Sequence, residues 1–274
     1  MLTKKIDLYE YFNLSRPEGA CGFLNLYVIE QYYFCPNRTR PAMIILPGGG
    51  YKFRSDRENE PIVIKFLERG YNVFVLDYSL EPLSYPTQLI EGAMAVAYVR
   101  ENASELRVNP DMIGAIGFSA GGHLCGMLAT MFDEDVVRET LKDKAQLCKP
   151  NACVLAYPVI ISGEKTNRPT MERISNNDVK LEEYLSIDKR VTENSVPAFV
   201  WATTEDNPVP IESSFALVMA YRKVGVPFEF HAFETGHHGL SLCVKETNAI
   251  NEPAKVWVDL MFTWLKVRGF DITD

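Results

Sequence analysis

The residues of this chain whose types could do covalent chemistry together are a serine between glycines, two adjacent histidines, an acidic pair and a run of glycines. Ser119 lies in AIGFSAGGHLCG (115–126), where the apolar run MIGAIGF meets SAGGHLCGMLATM, a segment of helical period. A serine on a strained strand-to-helix turn needs neighbours without bulky side chains two positions before and two after, and Gly117 and Gly121 meet that need. A helix beginning at Ala120 would bring its positive end to the serine, with the Ala120 amide facing a developing oxyanion. Taken alone, the window also fits a glycine-rich turn that only packs a helix against a strand.

A serine hydroxyl is a weak nucleophile at neutral pH unless a base takes its proton. The chain has four histidines. His123 lies inside the helix after Ser119 and reads as structural, while His231 alternates within FEFHAFE as a strand residue. The other two stand in ETGHHGLSL, between the last strand candidate and the last helix. Gly236 and Gly239 flank the pair and favour His238 as the base, with His237 as the alternative. An imidazole base needs a carboxylate to fix its tautomer. PAFVWATTEDNPVP supplies Asp206, with Glu205 beside it as competitor and Asp188 as a more distant one; Asp206 could also simply open a turn before Pro208.

The fourth component is MIILPGGGYKFRS, a strand followed by Pro47 and then Gly48, Gly49 and Gly50. Consecutive glycines present backbone amides without side-chain obstruction, so Gly49 and Gly50 are candidate oxyanion donors alongside Ala120. A phosphate-binding loop is the rival reading, but neither GxGxxG spacing nor a following Lys-Ser or Lys-Thr pair is present. Tyr51, adjacent to the glycines, is a candidate substrate-binding residue. Arg54, Arg57 and Glu58 in RSDREN could touch a polar substrate, but acidic groups there suit the start of a helix better.

These residues require a scaffold that brings several strand ends together. Short apolar, β-branched runs at 24–29, 42–46, 72–76, 112–117, 152–157, 198–203 and 228–232 predict strands. Segments of helical period at 60–69, 86–101, 120–132, 211–224 and 252–267 predict helices between them. Gly70 and Gly225 fall where helix C-caps belong, and Pro253 suits a first helical turn. The alternation implies an α/β fold with a mostly parallel sheet covered on both faces. Residues 162–195 interrupt the rhythm and read as an insertion, either a cap over the site or a surface excursion.

The 274 residues are expected to form one domain, 1–274. The net charge of −8 and the lack of a basic run argue against a nucleic-acid partner. No apolar run reaches the roughly 18 residues that span a bilayer, and the N-terminus does not read as a signal peptide, so no membrane association and a cytoplasmic location are expected. The six cysteines are dispersed without CxxC spacing and are expected to be reduced; with the four histidines they form no zinc pattern, so no metal is expected. A homodimer is the default expectation.

From about 24 to 265 the sequence resembles the α/β-hydrolase superfamily, and within it the bacterial esterase/lipase group that includes acetyl esterases and xylan-associated acyl esterases. The resemblance rests on PGGGY (47–51), RENEP (57–61), GYNVFVLDYS (70–79), GFSAGGH (117–123), TTEDNPVP (203–210) and GHHGL (236–240). The chain order Ser119, Asp206, His238 is that of α/β-hydrolase triads, unlike the chymotrypsin and subtilisin orders. One departure is Pro47, where hormone-sensitive-lipase relatives have a histidine before the glycines; backbone donors survive that change.

The resemblance implies an α/β-hydrolase fold and a serine carboxylic-ester hydrolase that needs no cofactor. Ser119 would attack, His238 would act as base and acid, Asp206 would orient it, and amides of Gly49, Gly50 and Ala120 would hold the oxyanion. It further implies a small-molecule ester substrate with a short acyl group, such as an acetylated sugar or oligosaccharide. An aminopeptidase or amidase of prolyl-oligopeptidase type shares the elbow and triad order. A non-catalytic ligand-binding protein on the same fold would be marked by loss of Ser119 or His238, and both are present.

Overall fold

The computed structural model describes residues 1–273. Eight strands form one sheet: β1 (Leu2–Asp7), β2 (Phe23–Val28), β3 (Arg40–Leu46), β4 (Asn72–Asp77), β5 (Val108–Phe118), β6 (Ala152–Ala156), β7 (Ala198–Thr203) and β8 (Phe228–Phe233). Their order is β1-β2-β4-β3-β5-β6-β7-β8. The pairs from β4 through β8 are parallel, whereas β2 runs antiparallel to both β1 and β4.

All seven strands expected from the sequence are present, and β1 is an addition. LTKKID is mostly exposed and charged, so it lacks the apolar signal of a buried strand. Pairing with β2 in register from Leu2 opposite Val28 to Asp7 opposite Phe23 holds it at the sheet edge, where polar residues face water at little cost.

The helices are α1 (Leu8–Tyr11), α2 (Glu60–Glu68), α3 (Thr87–Glu101), α4 (Ala120–Thr130), α5 (Asp135–Leu141), α6 (Arg168–Ser175), α7 (Val179–Tyr184), α8 (Glu212–Val224), α9 (Glu252–Lys255) and α10 (Trp257–Val267). The last helix expected from the sequence is thus two, meeting at Val256. Gly225 caps α8 in the left-handed conformation that a glycine adopts without strain.

Alternate residues of β3 feed opposite faces of the sheet. Ile44 and Leu46 join one apolar cluster with α3 and α4, while Met43 and Ile45 join the other with α2 and α10. Both clusters exclude water, so the parallel strands are covered on both sides. Because β3, β5, β7 and β8 all run the same way, the chain leaves them at one common edge. The loop of glycines, Ser119, Asp206 and His238 follow these four strands in turn, so topology alone brings them together.

Candidate active site

Ser119 is the turn between β5 and α4, with φ +54° and ψ −115°. This backbone is costly for a side-chain-bearing residue, and the surroundings hold it. The Ser119 amide donates to the Ala156 carbonyl at 3.0 Å, and its carbonyl accepts from His123 at 3.0 Å and Val159 at 3.2 Å. The turn can be this tight only because the adjoining backbones touch. A Cβ on Gly117 would meet the Gly121 carbonyl oxygen at 2.0 Å, and a Cβ on Gly121 would meet the Leu46 carbonyl oxygen at 2.0 Å.

The His238 Nε2 lies 2.8 Å from Ser119 Oγ, and its Nδ1 lies 2.7 Å from Asp206 Oδ2. A proton on Nδ1, donated to the carboxylate, leaves Nε2 free to accept from the serine hydroxyl. The Asp206 side chain is 1% exposed, and its Oδ1 accepts from the Val209 amide at 2.9 Å. A buried carboxylate bonded on both oxygens is fixed in direction, which fixes the imidazole in turn.

The competing candidates are engaged elsewhere. The exposed His237 ring donates from Nδ1 to the His238 carbonyl. Glu205 accepts from the Gly236 amide at 2.9 Å and braces the start of the histidine loop. Asp188 accepts from the Ser186 hydroxyl within the insertion. His123 is fully buried, donating from Nε2 to the Leu185 carbonyl and accepting at Nδ1 from Tyr51; burial lowers its pKa to about 4. His231 stands in β8 beside Glu229.

Gly49 and Gly50 have φ of +126° and +63°, conformations that glycine adopts freely. With Ser119 and His238 they line a cavity of about 350 Å³. Among the described residues, the amides of Gly49, Gly50 and Ala120 have no acceptor. Amides at a helix start and in a glycine loop, beside a serine, are suited to receive negative charge.

Tyr51 does not line that cavity. Its ring is completely buried, its hydroxyl bonds His123 Nδ1 at 2.9 Å, and its ring packs edge-on against Tyr78. With φ +57° at Tyr51 the chain reverses, sending this side chain into the core. Phe53, two residues on and 59% exposed, is the aromatic residue on the cavity wall.

RSDREN forms a 3₁₀ turn at Asp56–Glu58 ahead of α2, as a helix start would require. Arg54 turns away to the Tyr78 carbonyl, and Arg57 reaches the cavity and donates to the Gly239 carbonyl at 3.0 Å. Glu58, weighed from the sequence as a substrate contact or a helix entry, is not exposed but buried behind the glycine loop. It is 3% exposed, accepting from the Gly48 amide and from the Tyr157 hydroxyl, each at 2.7 Å. Burial pushes its carboxyl above the ordinary range, while both hydrogen bonds pull it back. Nothing in RENEP distinguishes this carboxylate from its exposed neighbours.

The insertion at 162–195 contains α6 and α7. Asn167 caps α6 by accepting from the Thr170 amide, and Asn167, Pro169, Thr170 and Arg173 form one wall of the cavity. Arg173 donates to the Gly50 carbonyl at 3.2 Å and pairs with Glu81 at 2.6 Å, tying α6 to the glycine loop. Among the described residues no group of three or more His, Cys, Asp or Glu is placed to hold a metal ion, and no helix is long and apolar enough to cross a membrane.

Comparison with known proteins agrees with this architecture. A solved acetyl ester-xyloside bifunctional hydrolase from Caldicellulosiruptor lactoaceticus is 32% identical and superposes with a TM-score of 0.85 over 98% of this chain and 97% of that one. A carboxylesterase structure from Lactobacillus plantarum is 28% identical with a TM-score of 0.84, covering 100% of both chains. Endo-1,4-beta-xylanase B of Butyrivibrio fibrisolvens is 34% identical over 237 residues, which are 84% of this chain and 36% of that protein. The chain spans between 36% and 56% of the first curated relatives it matches. The fold is that of the α/β hydrolases. The BD-FAE family model matches residues 32–221, and the chain belongs to that family.

Proposed function

We propose that this chain is a serine carboxylic-ester hydrolase that works through an acyl-enzyme, with short acyl esters of sugars or oligosaccharides as its substrates. The observation that carries the reading is the His238 imidazole, bonded at once to Ser119 Oγ and Asp206 Oδ2. Ser119 Oγ attacks the ester carbonyl while His238 Nε2 takes its proton, and Asp206 stabilises the imidazolium. Amides of Gly49, Gly50 and Ala120 receive the charge on the carbonyl oxygen. His238 then protonates the leaving alcohol and activates a water against the acyl-serine, restoring the free hydroxyl.

The cavity wall supports a hydroxylated alcohol. Lys52, Arg57, Asn167, Thr170 and Arg173 offer polar atoms, and Phe53 and Pro169 offer flat apolar faces; a sugar presents both hydroxyls and C–H faces to such a wall. The names of the xylanase and of the acetyl ester-xyloside hydrolase point to the same substrate class. A panel of p-nitrophenyl acetate, butyrate and octanoate, acetylated xylo-oligosaccharides and aminoacyl amides tests the reading. Acetyl esters should turn over fastest and amides slowest; faster turnover of the amides would overturn it.

A further inference from the structure

Glu58 and Tyr157 lie behind the reacting groups, in a ring of hydrogen bonds that closes through Ser241 and the Arg57–Glu58 peptide and that the steps above leave unused. Glu58 Oε2 accepts from the Gly48 amide at 2.7 Å. Its Oε1 accepts from the Tyr157 hydroxyl at 2.7 Å. The Tyr157 oxygen in turn accepts from the Ser241 amide at 3.0 Å, three residues beyond His238. The Tyr157 ring stands edge-on to the His238 ring, with centroids 5.1 Å apart at 73°. Two more bonds tie the same strands of chain, from the Arg57 guanidinium to the Gly239 carbonyl and from the Ser241 hydroxyl to the Arg57 carbonyl.

Space between these groups is minimal. A Cβ on Gly48 would lie 2.6 Å from Glu58 Oε2 and 3.1 Å from Ser119 Cβ, so the loop is a single backbone layer between carboxylate and serine. We propose that Glu58 and Tyr157 are positioning residues that set the glycine loop and the His238 loop at a fixed separation, so that oxyanion donors and base meet one carbonyl group. The proposal rests on the reading of Ser119 as nucleophile and of the glycine loop as oxyanion site.

The chemistry of the ring explains why a carboxylate stands here. Glu58 faces two donors, the Gly48 N–H and the Tyr157 O–H, and a carboxylate has an acceptor for each. Glutamine has one acceptor and one donor group. With its oxygen on Gly48, its amide nitrogen would face a tyrosine oxygen that already accepts from Ser241, and the phenolic hydrogen would lose its partner. A buried donor without a partner is costly, and the loops would shift to relieve it. Tyr157→Phe breaks the same ring at its other member and keeps the carboxyl.

The experiment compares the parent protein, Glu58→Gln, Tyr157→Phe and Ser119→Ala on p-nitrophenyl acetate, with kcat expressed per site titrated by a fluorophosphonate where Ser119 is kept and per folded molecule for Ser119→Ala. Affinity for phenylboronic acid, which adds to the serine oxygen and mimics the tetrahedral state, is measured alongside, with urea midpoints for folding. Losing one oxyanion donor costs about 100- to 1,000-fold in kcat, so a displaced loop should cost about 10- to 100-fold in Glu58→Gln and about tenfold in Tyr157→Phe. KM should stay within about threefold, and boronate affinity should fall in step with kcat. Parent-like kcat in the folded variants while Ser119→Ala is inactive would overturn the positioning role alone. Failure of both variants to fold would assign the ring to stability and overturn it too. Full activity in Ser119→Ala would instead overturn the reading beneath it.

Discussion

Gly117 and Gly121 meet backbone to backbone around the serine: a Cβ on Gly117 would stand 2.0 Å from the Gly121 carbonyl oxygen. No rotamer relieves a clash with a carbonyl group, so strand β5 or helix α4 would have to move, and Ser119 would move with it. Gly117→Ala or Gly121→Ala is therefore expected to cost about 3 kcal/mol or more. Urea unfolding checks the stability, and the rate per folded molecule should fall as well. A variant with parent stability would contradict the described turn.

The hydrogen bonds of His238 and Asp206 separate each from its sequence neighbour. Removing the base costs about a millionfold in triad enzymes and misdirecting it about 10,000-fold, so His238→Ala should lower kcat by about a millionfold and Asp206→Asn by about 10,000-fold. His237→Ala should stay within about threefold, because its ring reaches only the His238 carbonyl. Steady-state kinetics on one acetyl ester distinguishes them. A His237→Ala defect as deep as that of His238→Ala would contradict the assignment.

A pH effect on stability should come from Glu91, far from the chemistry. Its carboxylate accepts from the Ser79 amide and hydroxyl and from the Tyr9 hydroxyl, yet burial raises its pKa from 4.5 to about 7. The folded state then binds a proton that the unfolded state releases between those two values. The contribution is fully present below about pH 4.5 and is lost as pH rises through 7. Glu91→Gln removes this dependence, so the stability difference between parent and variant should change by about 3 kcal/mol between pH 4.5 and 8. Urea midpoints across that range check it, and a constant difference would contradict it.

The sequence revealed most clearly the features that steric necessity imposes. Gly117 and Gly121 announce the elbow because no other residue fits there, and the alternation of apolar runs with helical periods announces the parallel strands. Choices among adjacent polar residues were less visible. His237 and His238 share one loop composition, and only the turn at Gly236 and Gly239 directs the second ring to Ser119. Tyr51 was misread because adjacency to the glycines does not reveal that a positive φ points its ring into the core. The sequence offers Glu58 only as a surface residue of a helix entry, because its burial depends on Gly48 and Tyr157, joined to it by the fold. Strand β1 escaped because an edge strand can be charged.

The central claim is that Ser119 is the nucleophile of an ester hydrolase. The most direct measurement is the rate of p-nitrophenyl acetate hydrolysis by Ser119→Ala beside the parent, with mass spectrometry of the parent after fluorophosphonate treatment. The account predicts a loss of about 10,000-fold or more in the variant and a single adduct on Ser119 in the parent. Hydrolysis by Ser119→Ala at the parent rate, or an adduct on another residue, would contradict it.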